Sequence, residues 1–227
     1  MKSCVRKIFE VLIRNRTELW CEHHLILDSH QFGLRRSRST LDNLTILTSD
    51  ILKTFAKEEV LCAFLDISAA YDNVLIPVLS EDLIRFKIPR ALINSIIQLM
   101  SEKVLCLKPH PCYRTTFRRL PQGSNLSLLL YNICIHGWPA AFLKDQVSCL
   151  QYVGNIVLYI SGSDSEEIVE EMYNGLKKLG EWLDSRGLQL STSKFGSVWF
   201  LRKRYQNYFT RPRFRGNLIP SSPSFKF

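Results

Sequence analysis

The feature that most restricts the fold is an unbroken apolar run, Val60-Leu61-Cys62-Ala63-Phe64-Leu65, closed by Asp66. Six consecutive apolar residues of this kind read as a buried strand. A carboxylate directly after a buried strand sits at the carboxyl edge of its sheet, where side chains open into a cleft. A hard cation such as Mg²⁺ takes oxygen ligands in such a place. Asp72 follows in Asp66-Ile67-Ser68-Ala69-Ala70-Tyr71-Asp72. On this stretch alone the other reading stays open, that Asp66 or Asp72 caps a turn or a helix.

The surroundings of that strand predict mixed elements. Val5, Ile8, Phe9, Leu12, Ile13 and Leu19 fall at helical spacing, so an amphipathic helix is expected over residues 4–20. After an arginine-rich loop, Ser39 or Thr40 can cap a second helix with apolar face Leu44, Leu47, Ile51, Leu52 and Phe55. Two helices are expected at 75–86 and 90–102 with Pro89 between them, then a basic β-rich stretch over 104–119. Pro121-Gln122-Gly123-Ser124 reads as a loop before an apolar helix at 126–143. Cys149–Val153 and Ile156–Ile160 read as strands, with Gly154-Asn155 as their two-residue turn. Ser163 and Glu166 form a capping box for a helix with core face Ile168, Met172, Leu176, Leu179 and Leu183, stopped by Gly187. Ser197–Leu201 and Lys226-Phe227 read as terminal strands. The order of strands and helices implies an α+β fold.

Charge adds a partner class. The 227 residues carry 30 Lys+Arg and 21 Asp+Glu, a formal net charge of +9. The middle of the chain is nearly neutral, whereas both ends are basic, which suggests a polyanion such as nucleic acid. A merely solvated basic tail is the other reading. The seven cysteines include no C-x-x-C pair. Free thiols in a reducing compartment fit best, and a zinc site is not expected. No stretch approaches the roughly 20 apolar residues of a membrane helix, and no secretory signal is read at the N-terminus. The expectation is an intracellular protein, cytoplasmic or nuclear, without a membrane partner.

Several motifs together resemble one family. Ala63-Phe64-Leu65-Asp66-Ile67-Ser68-Ala69-Ala70-Tyr71-Asp72 resembles the first palm motif of reverse transcriptases. Leu120-Pro121-Gln122-Gly123-Ser124-Asn125-Leu126-Ser127 resembles the second, read as P-Q-G-S-P-L-S-P. Gln151-Tyr152-Val153-Gly154-Asn155-Ile156-Val157-Leu158-Tyr159 is similar to the Y-x-D-D hairpin. Gly187-Leu188-Gln189-Leu190-Ser191-Thr192-Ser193-Lys194 is similar to the lysine-bearing motif that follows. Gln31-Phe32-Gly33-Leu34-Arg35 with Ser39-Thr40 resembles the Q-F-G-F-R…S-T segment of LINE-type elements. The chain is thereby identified as resembling the polymerase domain of a LINE/jockey-type non-LTR retrotransposon.

The resemblance implies a right-hand polymerase palm, an antiparallel sheet packed on helices. Partial fingers would span 1–58, the palm 59–200, and a basic segment leading to the primer grip and thumb 201–227, with the thumb itself missing. It implies RNA-templated DNA synthesis with Mg²⁺ or Mn²⁺, an RNA template, a DNA primer and deoxynucleotide triphosphates. Asp66 would hold both metal ions, helped by the Ile67 carbonyl. Tyr71 would select against a 2′-hydroxyl, and Gln122 and Gly123 would shape the nucleotide pocket. Lys194 would stand near the triphosphate. Arg35, Arg36 and Arg38 would meet phosphates, and Arg118, Arg119, Arg202, Lys203 and Arg204 would contact nucleic acid.

The resemblance breaks at the hairpin. Gly154 and Asn155 stand where the family has two aspartates, leaving Asn155 as a degenerate metal position. Three carboxylates become one, so impaired catalysis is expected. Asn125 and Leu128 replace the two prolines of the second motif, and Leu34 and Ser37 replace Phe and Gly upstream. The readings that stay open are an inactive polymerase by descent, a non-catalytic nucleic-acid-binding protein, and a structural remnant.

Overall fold

A computed structural model of the chain describes residues 4–27, 29–33, 35, 38–55, 58–106, 111–115, 117–138, 146–200 and 211–222. In chain order the elements are α1 (Cys4–His23), α2 (Thr40–Phe55), β1 (Glu59–Ser68), α3 (Ile76–Arg85), α4 (Arg90–Ser101), β2 (Glu102–Cys106), β3 (Pro111–Thr115) and α5 (Asn125–Cys134), followed by β4 (Ser148–Tyr152), β5 (Asn155–Gly162), α6 (Ser165–Ser185), β6 (Gln189–Leu190), β7 (Gly196–Phe200), β8 (Arg213–Phe214) and β9 (Asn217–Leu218). A short 3-10 turn, Thr192–Lys194, lies between β6 and β7. The chain divides into two compact units, residues 1–28 with 69–136, and residues 29–68 with 137–227.

In the second unit the apolar run occupies the centre of β1. Antiparallel β5 and β7 flank it, β4 extends the sheet beyond β5, and β6 pairs with the last residues of β1. Val60 and Cys62 join a cluster with Leu47 and Ile51 of α2, Leu150 of β4, Val157 of β5 and Phe32. Leu61, Ala63 and Leu65 alternate with them and are equally buried, so β1 is covered on both faces, as its composition requires. α6 packs on β5, β1 and β6, burying the expected stripe Ile168, Met172, Leu176, Leu179 and Leu183.

The first unit is helical, with the β2–β3 hairpin attached to α4. α5 is its centre: Leu126, Leu130, Tyr131, Ile133 and Cys134 are wholly buried. α1 and α3 pack on α5, and α4 packs on α1 and α3.

Several expectations need correction. The apolar stripe of α1 is not its packed face. Val5, Ile8, Phe9, Leu12 and Leu19 are exposed, whereas Glu10, Ile13, Thr17, Glu18 and Cys21 are buried. The inward polar residues are tolerated because each finds a partner: Arg6 and Ser124 at Glu10, Arg14 at Glu18, and the Ile13 carbonyl at the Thr17 hydroxyl. On α2 only Leu47 and Ile51 of the expected face are buried; Leu44 and Leu52 are exposed. Ser39 and Asp42 form its capping box, each accepting from the other's backbone N–H. α5 ends at Cys134 rather than 143. α6 is capped by Asp164, which accepts from the Glu166 N–H, rather than by Ser163. The strand expected at 226–227 lies outside the described residues.

Candidate active site

β1 runs two residues past Asp66. The cross-strand partner of Asp66 is Asn155, and the Ile67 N–H donates to the Gly154 carbonyl at 2.8 Å. Backbone pairing alone thus sets the hairpin beside Asp66, whatever side chains the hairpin bears. On the other side of the strand end, the Ser191 N–H donates to the Asp66 carbonyl at 2.8 Å, and the Lys194 N–H donates to the Ser191 carbonyl at 3.1 Å. This anchored turn delivers Lys194, whose Nζ donates to Asp66 Oδ2 at 2.9 Å. The Asp66 side chain is 21% exposed and the Lys194 side chain 66%. Asp66, Ile67, Asn155 and Lys194 therefore share one sheet edge, as the motif order implies.

The hairpin turn is displaced by one residue from the expected Gly154-Asn155. Tyr152 pairs with Asn155, so Val153 and Gly154 form the turn. Val153 takes φ +56, a costly conformation for a β-branched residue. Tertiary contacts impose it. The Gln151 Nε2 donates to the Val153 carbonyl at 2.8 Å, and the Trp138 Nε1 donates to Gln151 Oε1. The segment Gln31–Gly33 lies alongside: Phe32 N–H donates to the Gln151 carbonyl, and Gln151 N–H donates to the His30 carbonyl. Gly33 sits so close that a Cβ there would lie 2.4 Å from the Val153 nitrogen. Asn155 lines a cavity of about 220 Å³ together with Thr40, Asn43, Leu44, Phe64 and Tyr152.

The other unit holds Tyr71, Gln122, Gly123, Arg118 and Arg119. Tyr71 is half-buried with its ring 5.1 Å from that of Tyr131, and burial pushes its hydroxyl pKa up. The Leu120 N–H donates to the Tyr71 carbonyl at 2.8 Å. The Pro121–Ser124 turn follows, with Gln122 and Gly123 exposed and Gly123 at φ +77, a conformation suited to glycine. Ser127 Oγ donates to the Pro121 carbonyl at 2.8 Å, and Ser124 Oγ donates to Glu10 Oε2 at 2.7 Å. Arg119, at φ +89, pairs with Asp72 at 2.8 Å. Arg118 is exposed.

Arg38 donates to the Ser29 carbonyl at 2.5 Å and lies over the Phe32 ring. Arg35 is half-buried. Arg36, Arg202, Lys203 and Arg204 lie outside the described residues. In the sheet interior, burial pushes the Cys62 thiol up to about 12, and burial together with the Asp50 carboxylate raises the Tyr159 hydroxyl pKa.

Sequence reasoning missed Glu10, Trp138 and Gln151. Gln151 carried a signal, a polar residue inside an apolar strand. Glu10 carried none, because its partner Ser124 is far away in sequence.

An antiparallel sheet packed on helices, with an aspartate and a hairpin at one edge, defines a polymerase-type palm. A sequence model described as "Reverse transcriptase (RNA-dependent DNA polymerase)" matches residues 2–210, and the chain belongs to that family. It is 27% identical over 201 residues to "Probable RNA-directed DNA polymerase from transposon BS" of Drosophila melanogaster, covering 85% of this chain and 22% of that protein. It is 24% identical over 206 residues to the corresponding protein of transposon X-element from the same species, covering 88% of this chain and 23% of that protein. The chain thus spans less than a quarter of the length of these relatives.

In structure it is similar to an apo telomerase from Candida tropicalis, at TM-score 0.57 and 11% identity, covering 92% of this chain and 43% of that one. A telomerase from Candida albicans gives TM-score 0.58 at 15% identity, covering 92% of this chain and 36% of that one. At these identities the likeness concerns the fold. Among the described residues no helix is long and apolar enough to cross a membrane.

The family uses divalent cations, and the residues here do not fit such a centre. Of Asp66, Gly154 and Asn155 at the hairpin edge only Asp66 is a carboxylate, and its Oδ2 already accepts from Lys194. Gly154 has no side chain, and Asn155 offers a neutral amide. Among the described residues no group of three or more His, Cys, Asp or Glu could hold a metal ion.

Proposed function

We propose that this chain is the palm, with part of the fingers, of a LINE/jockey-type non-LTR retrotransposon reverse transcriptase, and that it binds primer–template while its polymerase chemistry is impaired. In the lineage the reaction is RNA-templated DNA synthesis, in which a primer 3′-hydroxyl attacks a deoxynucleotide triphosphate and pyrophosphate leaves. The observation that carries the impaired reading is the pairing of Asp66 with Asn155 at the hairpin. Where the family places three carboxylates, this edge has one. Charge stabilisation by metal ions is worth several kcal/mol, and about 1.4 kcal/mol is tenfold in rate. Extension is therefore expected to fall by at least about a thousandfold.

The binding half of the reading rests on charge and exposure. The net charge is +9, and Arg118 and Arg119 are exposed. Tyr71, Gln122 and Gly123 would meet the incoming nucleotide. Arg35, Arg36, Arg38, Arg202, Lys203 and Arg204 would add phosphate contacts.

The test is primer extension on an RNA template in Mg²⁺ or Mn²⁺, with the wild type and Gly154→Asp/Asn155→Asp. Extension near background by the wild type and a gain in the double variant are expected. Robust extension by the wild type would sink the impaired reading. Primer–template binding by the wild type should weaken steeply with salt; binding indifferent to salt would count against the nucleic-acid interface.

A further inference from the structure

We propose that Lys194 is the resident cation of this site, its ammonium holding the Asp66 carboxylate where a divalent ion would otherwise bind, so that the sheet edge assembles without metal. The proposal rests on the reading that Asp66 marks the ancestral metal position. Three observations carry it.

The first is how the lysine is delivered. The turn Thr192–Lys194 hangs from the backbone of Asp66 itself, through the Ser191 N–H, and places Nζ 2.9 Å from Oδ2. A lysine on a fixed turn loses less freedom on pairing than one on a loose tail. The second is the charge balance. Asp66 and Lys194 cancel, and Gly154 and Asn155 add nothing, so the edge is neutral as it stands. With two aspartates on the hairpin the same edge would carry a net −2, a repulsion that a divalent ion would relieve. The third is exposure. The Lys194 side chain is 66% exposed, so water can solvate its ammonium when a stronger cation displaces it.

Lys194 and a metal ion are therefore competitors for Asp66. The competition is measured as Mn²⁺ affinity, Mn²⁺ being the only probe, with the Asp66→Asn-sensitive part of the binding taken as the readout. The wild type should show no such component at millimolar Mn²⁺. Gly154→Asp/Asn155→Asp should gain one. Adding Lys194→Met to that variant should tighten it further, by about fivefold, the effect of one unit charge a few ångströms away through a high dielectric. Each variant is first checked for a wild-type melting transition, and Lys194→Gln replaces Lys194→Met if the latter does not fold.

Mn²⁺ affinity that is unchanged or weaker when Lys194 is removed would overturn the proposal and leave the impaired-polymerase reading standing. An Asp66-dependent Mn²⁺ site in the wild type would overturn it as well. Failure of the functional reading is seen separately, as primer extension by the wild type.

Discussion

The turn Pro121–Ser124 and the turn Val153–Gly154 carry residues of two polymerase motifs, and they are held in different ways. The first is fixed through side chains: Ser124 on Glu10, Ser127 on the Pro121 carbonyl, and the ring of Tyr71 against Tyr131. Its Ser124 and Ser127 are also fold residues, and replacing them disturbs buried hydrogen bonds. In the second the Gln151 side chain holds Val153, but Gly154 and Asn155 themselves are fixed through backbone. Asn155 pairs with Asp66 and Gly154 accepts from the Ile67 N–H, bonds that any side chains would permit. Carboxylates at 154 and 155 would serve metal chemistry without serving the fold. At Gly154 and Asn155 the motif pattern is accordingly lost where it bears only charge.

That contrast can be broken by stability measurements. The largest effect should come from Gly33→Ala, which forces a methyl to within 2.4 Å of the Val153 backbone nitrogen. A loss of about 3 kcal/mol in denaturant unfolding is expected. A loss below about 0.5 kcal/mol would mean that the hairpin backbone is not clamped. Next comes Glu10→Ala, which deprives the buried Ser124 hydroxyl of its acceptor. The expected cost is about 2 kcal/mol, read from the same curves; an unchanged midpoint would deny the turn its side-chain support. The smallest effect should be Gly154→Asp/Asn155→Asp measured without metal. Setting a like charge opposite Asp66 costs under about 1 kcal/mol, partly offset by Lys194. A large loss here would show that the hairpin side chains do bear structure.

Much of this was legible in the residues. The run 60–65 announced a central strand because apolar residues at every position demand cover on both faces. α6 was legible from its stripe, which is the one it buries. The order of motifs brought Asp66, Asn155 and Lys194 to one edge, and the geometry agrees. What stayed illegible depended on distant partners. α1 shows an apolar stripe to solvent because Glu10 and Glu18 find partners on the packed side. The hairpin turn lies at Val153–Gly154 because Gln151 and the Gln31–Gly33 segment hold it there. A local turn preference for Gly-Asn was outweighed by these contacts. The ion pair of Lys194 with Asp66 could not be read either, since spacing gives no distance between residues so far apart in the chain.

The interlock of Gly33 with Val153 also bears on folding. A β-hairpin is ordinarily a local event, closed in microseconds by its own turn. Here the turn residue takes a conformation unfavourable to a β-branched side chain and packs closely on Gly33, some 120 positions upstream. Closing a loop of that length costs entropy before any contact repays it. The edge that carries Asn155 is therefore a high-contact-order part of the sheet, the kind whose closure costs most loop entropy.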